Sequence, residues 1–405
     1  MIHPKSLPEG ILKIAVLHLQ PLDTKEAGSV FVARSALGIA QAGALCHLMT
    51  PRGSLFEATA ADEIGLGHSE RLVLHPLPSR FLNLAGLKFS WALPALRKAA
   101  KLLSSLRFNA VICRDLDAAR YLASRIDRTY AVIYEAHQLY MAGRFEKDAE
   151  YFPADKLVRH DRRIELERKV FSLADGVIVL TEEAEKWLKA KLQPLPPVES
   201  CGSATEPLSE ISGPVTGGPV AYIGALDPHK GLSLLLKALT EAKNVTIKII
   251  GHGHQESVVR GKAKALGVEN RVDFAGWISP DALPKALAGC SAGVLPLVDC
   301  LFNRMITSPM KLFDYIQVGL PVIAPDLPAI SEIFRSHSAA WFRYETDNPD
   351  SLAQALHATS DDSRLKTGAA AALALSRERT WENRGKKLLS FVREIVNNRK
   401  FSGEI

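Results

Sequence analysis

Cysteine is scarce in this chain: Cys46, Cys113, Cys201, Cys290 and Cys300 are five in number, odd, and without a CxxC pair. This excludes a disulfide scaffold and argues against a structural zinc site. Long apolar runs are missing too, since no stretch reaches the roughly 18 to 20 consecutive residues that a membrane-spanning helix needs. Residues 11–19 are interrupted by Lys13 and His18 and lack a small-residue cleavage site, so they read as a buried strand and not as a secretory signal. A cytoplasmic protein is expected, and the absence of metal-ligand spacing predicts no metal. The GxG that follows a strand-like run, Gly251-His252-Gly253, stops short of the GxGxxG of nicotinamide-binding units and says only that the backbone turns tightly there. Helix-turn-helix and zinc-finger patterns are also absent, so the net charge of +6 does not predict nucleic-acid binding. Acidic residues are lacking over one long stretch: Arg71, Arg80, Lys88, Arg97, Lys98, Lys101, Arg107 and Arg114 are not offset by a single Asp or Glu between residues 71 and 114.

Within that stretch Leu96, Ala99, Leu103 and Leu106 recur at helical spacing, with Arg97, Lys98 and Lys101 on other faces. Phe81, Leu82, Leu84, Phe89 and Trp91 precede them. The segment reads either as an ordinary domain helix with a solvated basic face, or as a contact for an anionic lipid surface or acceptor.

The chain has 405 residues, of which 47% are hydrophobic, enough for two domains of about 200 residues each. Short apolar runs alternate with helical patterns in both halves, which predicts α/β domains with open parallel sheets covered by helices. In the first half the expected strands lie at residues 12–18, 45–49, 111–113, 131–134 and 176–180, with helices at 29–41, 116–124 and 162–173. Residues 193–218 are rich in Pro, Gly and Ser and read as the connection. A second unit begins at Pro219, with strands expected at 220–224, 245–250, 272–274, 293–297 and 322–324. The divisions are 1–200 for an acceptor-side domain, 201–218 for the linker, 219–377 for a donor-binding domain and 378–405 for a terminal helix. Two sheet domains facing each other make a natural ligand cleft.

Residues 308–332, SPMKLFDYIQVGLPVIAPDLPAISE, carry the strongest local signal. Ser308 is suited to cap a helix, Pro309 to its first position, and Gly319 with Pro321 to its end. Met310 and Lys311 complete a helix start where a cation is disfavoured by about 0.3–1 kcal/mol against the helix dipole. Either Asp314 offsets Lys311 as an i,i+3 partner, or Lys311 meets a ligand phosphate while Asp314 accepts from ligand hydroxyls. YIGALDPHKG at 222–231 has the same strand, loop and helix form. Gly224 permits close backbone approach, Asp227 and Pro228 favour a turn, and Lys230 projects beside the next helix start. Lys230 and Lys311 together suggest a diphosphate clamp. After a buried strand in the first half, Glu135 and His137 in YEAH fall on one side if the strand continues. His137 then orients a sugar hydroxyl or moves a proton, or is a structural histidine. Arg114 and Asp115 end the preceding strand and either line the same cleft or make turn contacts. Gly28 brings backbone close to a ligand or serves packing.

These motifs resemble retaining glycosyltransferases of family 4 with the two-domain GT-B fold, most specifically over residues 222–332. The resemblance implies a nucleoside-diphosphate sugar as donor substrate, with no separate cofactor, and a glycan or lipid-linked acceptor, in surface polysaccharide or lipopolysaccharide synthesis; the basic segment adds an anionic membrane surface as a partner. It implies that Gly28 belongs to the donor loop, His137 to the active-site histidine region and Lys230 to the diphosphate site. Asp314 falls at the second, ribose-associated glutamate of the family's EX7E motif, and Glu332 at an acidic position near the donor. Trp381 falls in a terminal helix that crosses back to the first domain. Three departures stand out: Ala225 replaces a frequent phosphate-binding arginine, Ile306 replaces the first glutamate of EX7E, and Asp314 shortens the second. Arg304 is one possible source of the missing positive charge. A sugar-nucleotide epimerase, a glycan phosphorylase or a catalytically weakened nucleotide-sugar-binding subunit are the alternatives.

Overall fold

The computed structural model describes residues 10–23, 26–52, 69–79, 81–84, 87–90, 92–142, 160–206, 208, 213–227 and 230–402. Trp91 and Pro228 lie outside the described residues. In chain order the strands are β1 (Lys13–Leu17), β2 (Leu45–Pro51), β3 (Leu72–Leu77), β4 (Phe81–Leu84), β5 (Leu87–Ser90), β6 (Ala110–Cys113), β7 (Ala131–Ala136), β8 (Gly176–Val179), β9 (Val198–Ser200), β10 (Val220–Ile223), β11 (Ile247–Ile250), β12 (Val272–Gly276), β13 (Ala292–Val294), β14 (Val322–Pro325) and β15 (Trp341–Tyr344). The α-helices are α1 (Ala27–Gln41), α2 (Leu93–Ser105), α3 (Leu116–Ala123), α4 (His160–Leu173), α5 (Glu182–Lys191), α6 (Leu232–Glu241), α7 (Glu256–Ala265), α8 (Leu283–Leu287), α9 (Met310–Gln317), α10 (Pro328–Phe334), α11 (Pro349–His357), α12 (Asp362–Glu378) and α13 (Trp381–Ser402).

Two parallel sheets form, in the orders β3-β2-β1-β6-β7-β8-β9 and β12-β11-β10-β13-β14-β15, with β4 and β5 apart as an antiparallel hairpin. β6, β7 and β8 are buried along their whole length, as strands covered by helices on both faces must be. The two sheets, each with flanking helices, make the two Rossmann-like domains of a GT-B architecture. Strand ends move by one to three residues from the expected limits, most at β13, where the chain leaves the sheet after Val294.

The basic segment behaves as its spacing predicts: Leu96, Ala99 and Leu103 of α2 are buried, while Arg97, Lys98 and Lys101 are exposed. Leu106 lies past the end of α2 and is 37% exposed.

Between β13 and α9 the second half sends a π-helical turn, Phe302–Ile306, into the first domain. Leu301, Met305 and Ile306 pack within that domain's hydrophobic core, and Thr181 Oγ1 donates to the Met305 carbonyl. The terminal helix makes a second tie. Trp381, at the start of α13, is 1% exposed and meets Phe31 of α1 edge to face, with ring centroids 5.3 Å apart. The two helices approach so closely that a Cβ on Gly38 would lie 2.2 Å from the Trp381 carbonyl oxygen, and one on Gly385 would lie 2.1 Å from that of Gly38.

Candidate functional site

The sheet of the second domain delivers two loops to one place. Gly224, directly after β10, has φ +136°, and a Cβ there would lie 3.4 Å from Lys311 Nζ. The bare backbone thus leaves room beside the ammonium. Gly253, after β11, packs turn against turn, since its Cβ would lie 2.8 Å from the Leu226 amide. Tyr222 Oη donates to the Ala225 carbonyl at 2.7 Å, and the Ile223 amide donates to Tyr315 Oη at 2.8 Å. Ala225 therefore contributes a carbonyl to a braced loop and brings no charge.

Lys311 is 9% exposed, and its ammonium makes no hydrogen bond among the described residues. It lies 4.4 Å from the centroid of the Tyr222 ring. Burial, and then the nearby Lys230, push its pKa well below the ordinary lysine value. Lys230 is itself shifted down by burial, although Asp227 and Cys300 act in the opposite direction. Lys311 and Asp314 form no ion pair among the described residues, so the i,i+3 reading is set aside. Burial lifts Asp314 to about 6, and the charge that eases it is that of Arg34 on α1 of the other domain.

The helix start differs from the expected one. Helix α9 begins at Met310, with Pro309 in the capping position and no side-chain cap. Ser308 is drawn away to the linker: its Oγ accepts from the Ser203 amide at 2.8 Å, and its carbonyl accepts from Ser203 Oγ at 2.6 Å. The Ser203 amide competes successfully for the oxygen because residue 202 is glycine, whose Cβ would lie 2.8 Å from Ser308 Oγ. The other end of the helix is as expected, since Gly319 has φ +77° and Leu320 donates to the Tyr315 carbonyl at 3.0 Å.

Arg304 is taken up by a two-pronged pair with Asp299. The Glu332 carboxylate, on α10, accepts from the Glu182 amide at the start of α5 at 3.0 Å, which ties the two domains at a helix N-terminus. Burial raises Glu332 to about 7 against that amide. Ile306 shows why the first acidic position of EX7E is apolar here: the side chain is core of the other domain.

A cleft of about 550 Å³ adjoins this region, lined by Gly28, Phe31, Arg114 and His137 from the first domain and by Ser308 and Met310 from the second. Gly28 sits in the first turn of α1, and its carbonyl accepts from Arg114 Nη1 at 2.9 Å. Glu135 and His137 do fall on one side, with His137 Nε2 3.6 Å from Glu135 Oε1. Glu135 is 3% exposed; burial works against its charge, but Arg384 of α13, in direct contact, outweighs it and holds the pKa at about 2. Burial and the charge of Arg114 keep His137 neutral, with its pKa down at about 4. The imidazole edge packs on Phe31, with ring centroids 4.7 Å apart.

Sequence reasoning did not find Arg384, which acts across 249 positions of chain, nor the Tyr222 ring beneath Lys311. No local spacing announces a partner so distant in sequence. Among the described residues no group of three or more His, Cys, Asp or Glu side chains could hold a metal ion, and no described helix is long and apolar enough to cross a membrane.

A model for glycosyltransferase family 4 matches residues 28–199, and one for glycosyl transferases group 1 matches residues 218–362. An uncharacterized glycosyltransferase of Methanocaldococcus jannaschii is 26% identical over 137 residues, 33% of this chain and 33% of that protein. The chain spans 33% and 20% of the length of curated relatives it matches. Among solved structures, sucrose-phosphate synthase from Thermosynechococcus elongatus is similar with a TM-score of 0.72 and 15% identity, covering 96% of this chain and 100% of that one. HepE of Anabaena, in complex with UDP-glucose, gives a TM-score of 0.67 and 15% identity over 95% of this chain and 100% of its own. At such identities the likeness speaks to the fold. With one family model on each half and a sheet domain under each, the chain belongs to glycosyltransferase family 4 and has the GT-B fold.

Proposed function

We propose that this protein transfers a sugar from a nucleoside-diphosphate sugar to a hydroxyl of a glycan or lipid-linked acceptor, with retention of anomeric configuration. The observation that carries the proposal is the buried Lys311 ammonium, unpartnered among the described residues and facing the open backbone of Gly224 with Lys230 nearby. An uncompensated buried cation is costly, and an arriving diphosphate removes the cost. Backbone at Gly224 and Gly253 borders the space, and Asp314 serves ligand hydroxyls. Ser308, Pro309 and Met310 hold the start of α9 in place.

In the reaction the bond between the anomeric carbon and the phosphate oxygen breaks, and the acceptor oxygen bonds to that carbon from the same side. The acceptor proton passes to the departing phosphate oxygen, and Lys230 with Lys311 stabilises the charge that develops there. Neutral His137, packed on Phe31 beside the Glu135–Arg384 pair, positions the donor sugar or acceptor. Glu332 supports the site indirectly through its hold on α5. Surface polysaccharide or lipopolysaccharide synthesis is the proposed setting, at the cytoplasmic side of a membrane. The exposed Arg97, Lys98 and Lys101 of α2 support contact with an anionic membrane surface there, and salt-sensitive sedimentation with anionic liposomes checks that contact.

The test is nucleotide release by purified protein given UDP-, GDP- and ADP-sugars separately, with and without glycan and lipid-linked acceptors. Release that depends on an acceptor supports transfer. Conversion of donor without acceptor indicates an epimerase, phosphate-dependent turnover a phosphorylase, and binding without turnover a non-catalytic subunit.

A further inference from the structure

The charges that line the cleft are unbalanced in a way the donor reading does not use. Among the described residues its one acidic lining residue is Asp115, whose carboxylate caps α3, accepting from the Asp117 and Ala118 amides at 3.0 Å each. Two buried acids among the described residues, on β7 and α4, are engaged as well. Glu135 holds Arg384, and Glu167, 0% exposed on α4, accepts from the Met141 amide at 2.7 Å. Against these stand two arginines in the lining. Arg114 gives Nη1 to the Gly28 carbonyl and lies 5.3 Å from the Phe31 ring centroid. Arg163 lies one helical turn before Glu167 on α4, yet it pairs with no carboxylate among the described residues; its guanidinium is 5.9 Å from the centroid of the Tyr140 ring.

Glu167 explains how this pair is set. By taking the Met141 amide it anchors the 3-10 turn Tyr140–Ala142, which carries the ring that Arg163 faces. A buried carboxylate thus anchors the turn that carries Tyr140, and Arg163 faces that ring in the wall of a cleft that also contains His137 and Ser308. A bound acceptor that covered Arg163 without supplying charge would strip water from a cation and return nothing, which costs more than the sugar contacts give back. A carboxylate or phosphate matches the planar fork of the guanidinium and removes that cost.

We infer that the acceptor carries an anionic oxygen group, a carboxylate or a phosphate, and that Arg163, seated on Tyr140, is the residue that selects it. The inference rests on the transferase reading, because it takes the cleft beside Lys311 to be the acceptor space.

The test uses matched soluble probes, octyl β-glucoside, octyl β-glucuronide and octyl β-glucoside 6-phosphate, titrated calorimetrically into the full chain saturated with whichever of UDP, GDP or ADP binds. At least one charged probe is expected to bind tenfold or more tightly than the neutral one, and the better of the two identifies carboxylate or phosphate. In Arg163→Ala the preference should vanish while nucleotide affinity and Tm stay at wild-type values. Arg163→Lys should restore part of it, because it keeps the charge and loses the fork. Equal binding of charged and neutral probes, binding of none, or a preference that survives in Arg163→Ala overturns the inference. Failure of the wild-type protein to bind any nucleotide is a separate result; it removes the transferase reading and this inference with it.

Discussion

Lys311 Nζ lies 4.4 Å from the centroid of the Tyr222 ring, and the π face is the one favourable contact this buried ammonium has among the described residues. A cation over an aromatic ring gains on the order of 1–2 kcal/mol, less than the loss of water around a full charge. The free protein therefore carries a strained electrostatic state at residue 311, and the donor phosphates relieve it. Stability and function pull in opposite directions at this position.

Replacing Lys311 by Met keeps the bulk and removes the charge. The nucleotide-free variant should be more stable than wild type, by on the order of 1 kcal/mol or about 2–4 °C in Tm, as differential scanning calorimetry would show. A lower Tm would mean that the ammonium already has a compensating partner.

The same group sets a pH dependence. Its folded pKa lies well below the ordinary 10.5. Between those two values the unfolded chain holds the proton and the folded chain does not, so the stability of the free protein rises with pH across that window. Diphosphate binding favours the protonated ammonium, so nucleotide affinity should fall as pH rises through that same window, by up to about tenfold per pH unit. Calorimetry at several pH values reads this slope, which Lys311→Met should flatten.

Arg384→Met leaves Glu135 buried without its cation and should destabilise the protein by about 3–5 kcal/mol in urea unfolding. The double variant Arg384→Met with Glu135→Gln should recover most of that stability. Turnover should stay about 100-fold low in the double variant, because the charged pair beside His137 is lost from the cleft wall. Recovery of both would show that the pair serves packing alone.

Gly38→Ala would place a methyl group 2.2 Å from the Trp381 carbonyl oxygen, so α1 and α13 must separate. A loss of about 1–3 kcal/mol is expected, whereas Gly261→Ala, in open space on α7, should leave stability unchanged or slightly raised.

Much of the fold is legible because the central sheet strands are short, mostly apolar runs, such as 131–134, and because breakers such as Gly319 and Pro321 stand at helix ends. The Gly224 loop and Lys311 were legible for the same reason: a glycine after a strand and a lysine at a helix start conflict with local preference. Ser308 misled because its capping chemistry is local, whereas the amide that captures its oxygen comes from Ser203, 105 positions away. Arg384 and Glu135 were invisible as a pair on the same ground, since a contact across 249 positions leaves no periodicity behind. Arg304 shows the converse failure, a charge near the site that a neighbour, Asp299, has already claimed.

The most direct measurement is the affinity of UDP, GDP and ADP for the wild-type chain, Lys230→Ala and Lys311→Met at pH 7, by calorimetry with Tm as a folding control. At least one nucleotide should bind the wild type, and each substitution should weaken it tenfold or more while the fold stays intact. Undiminished binding in both variants would contradict the assignment of these lysines to the donor diphosphate.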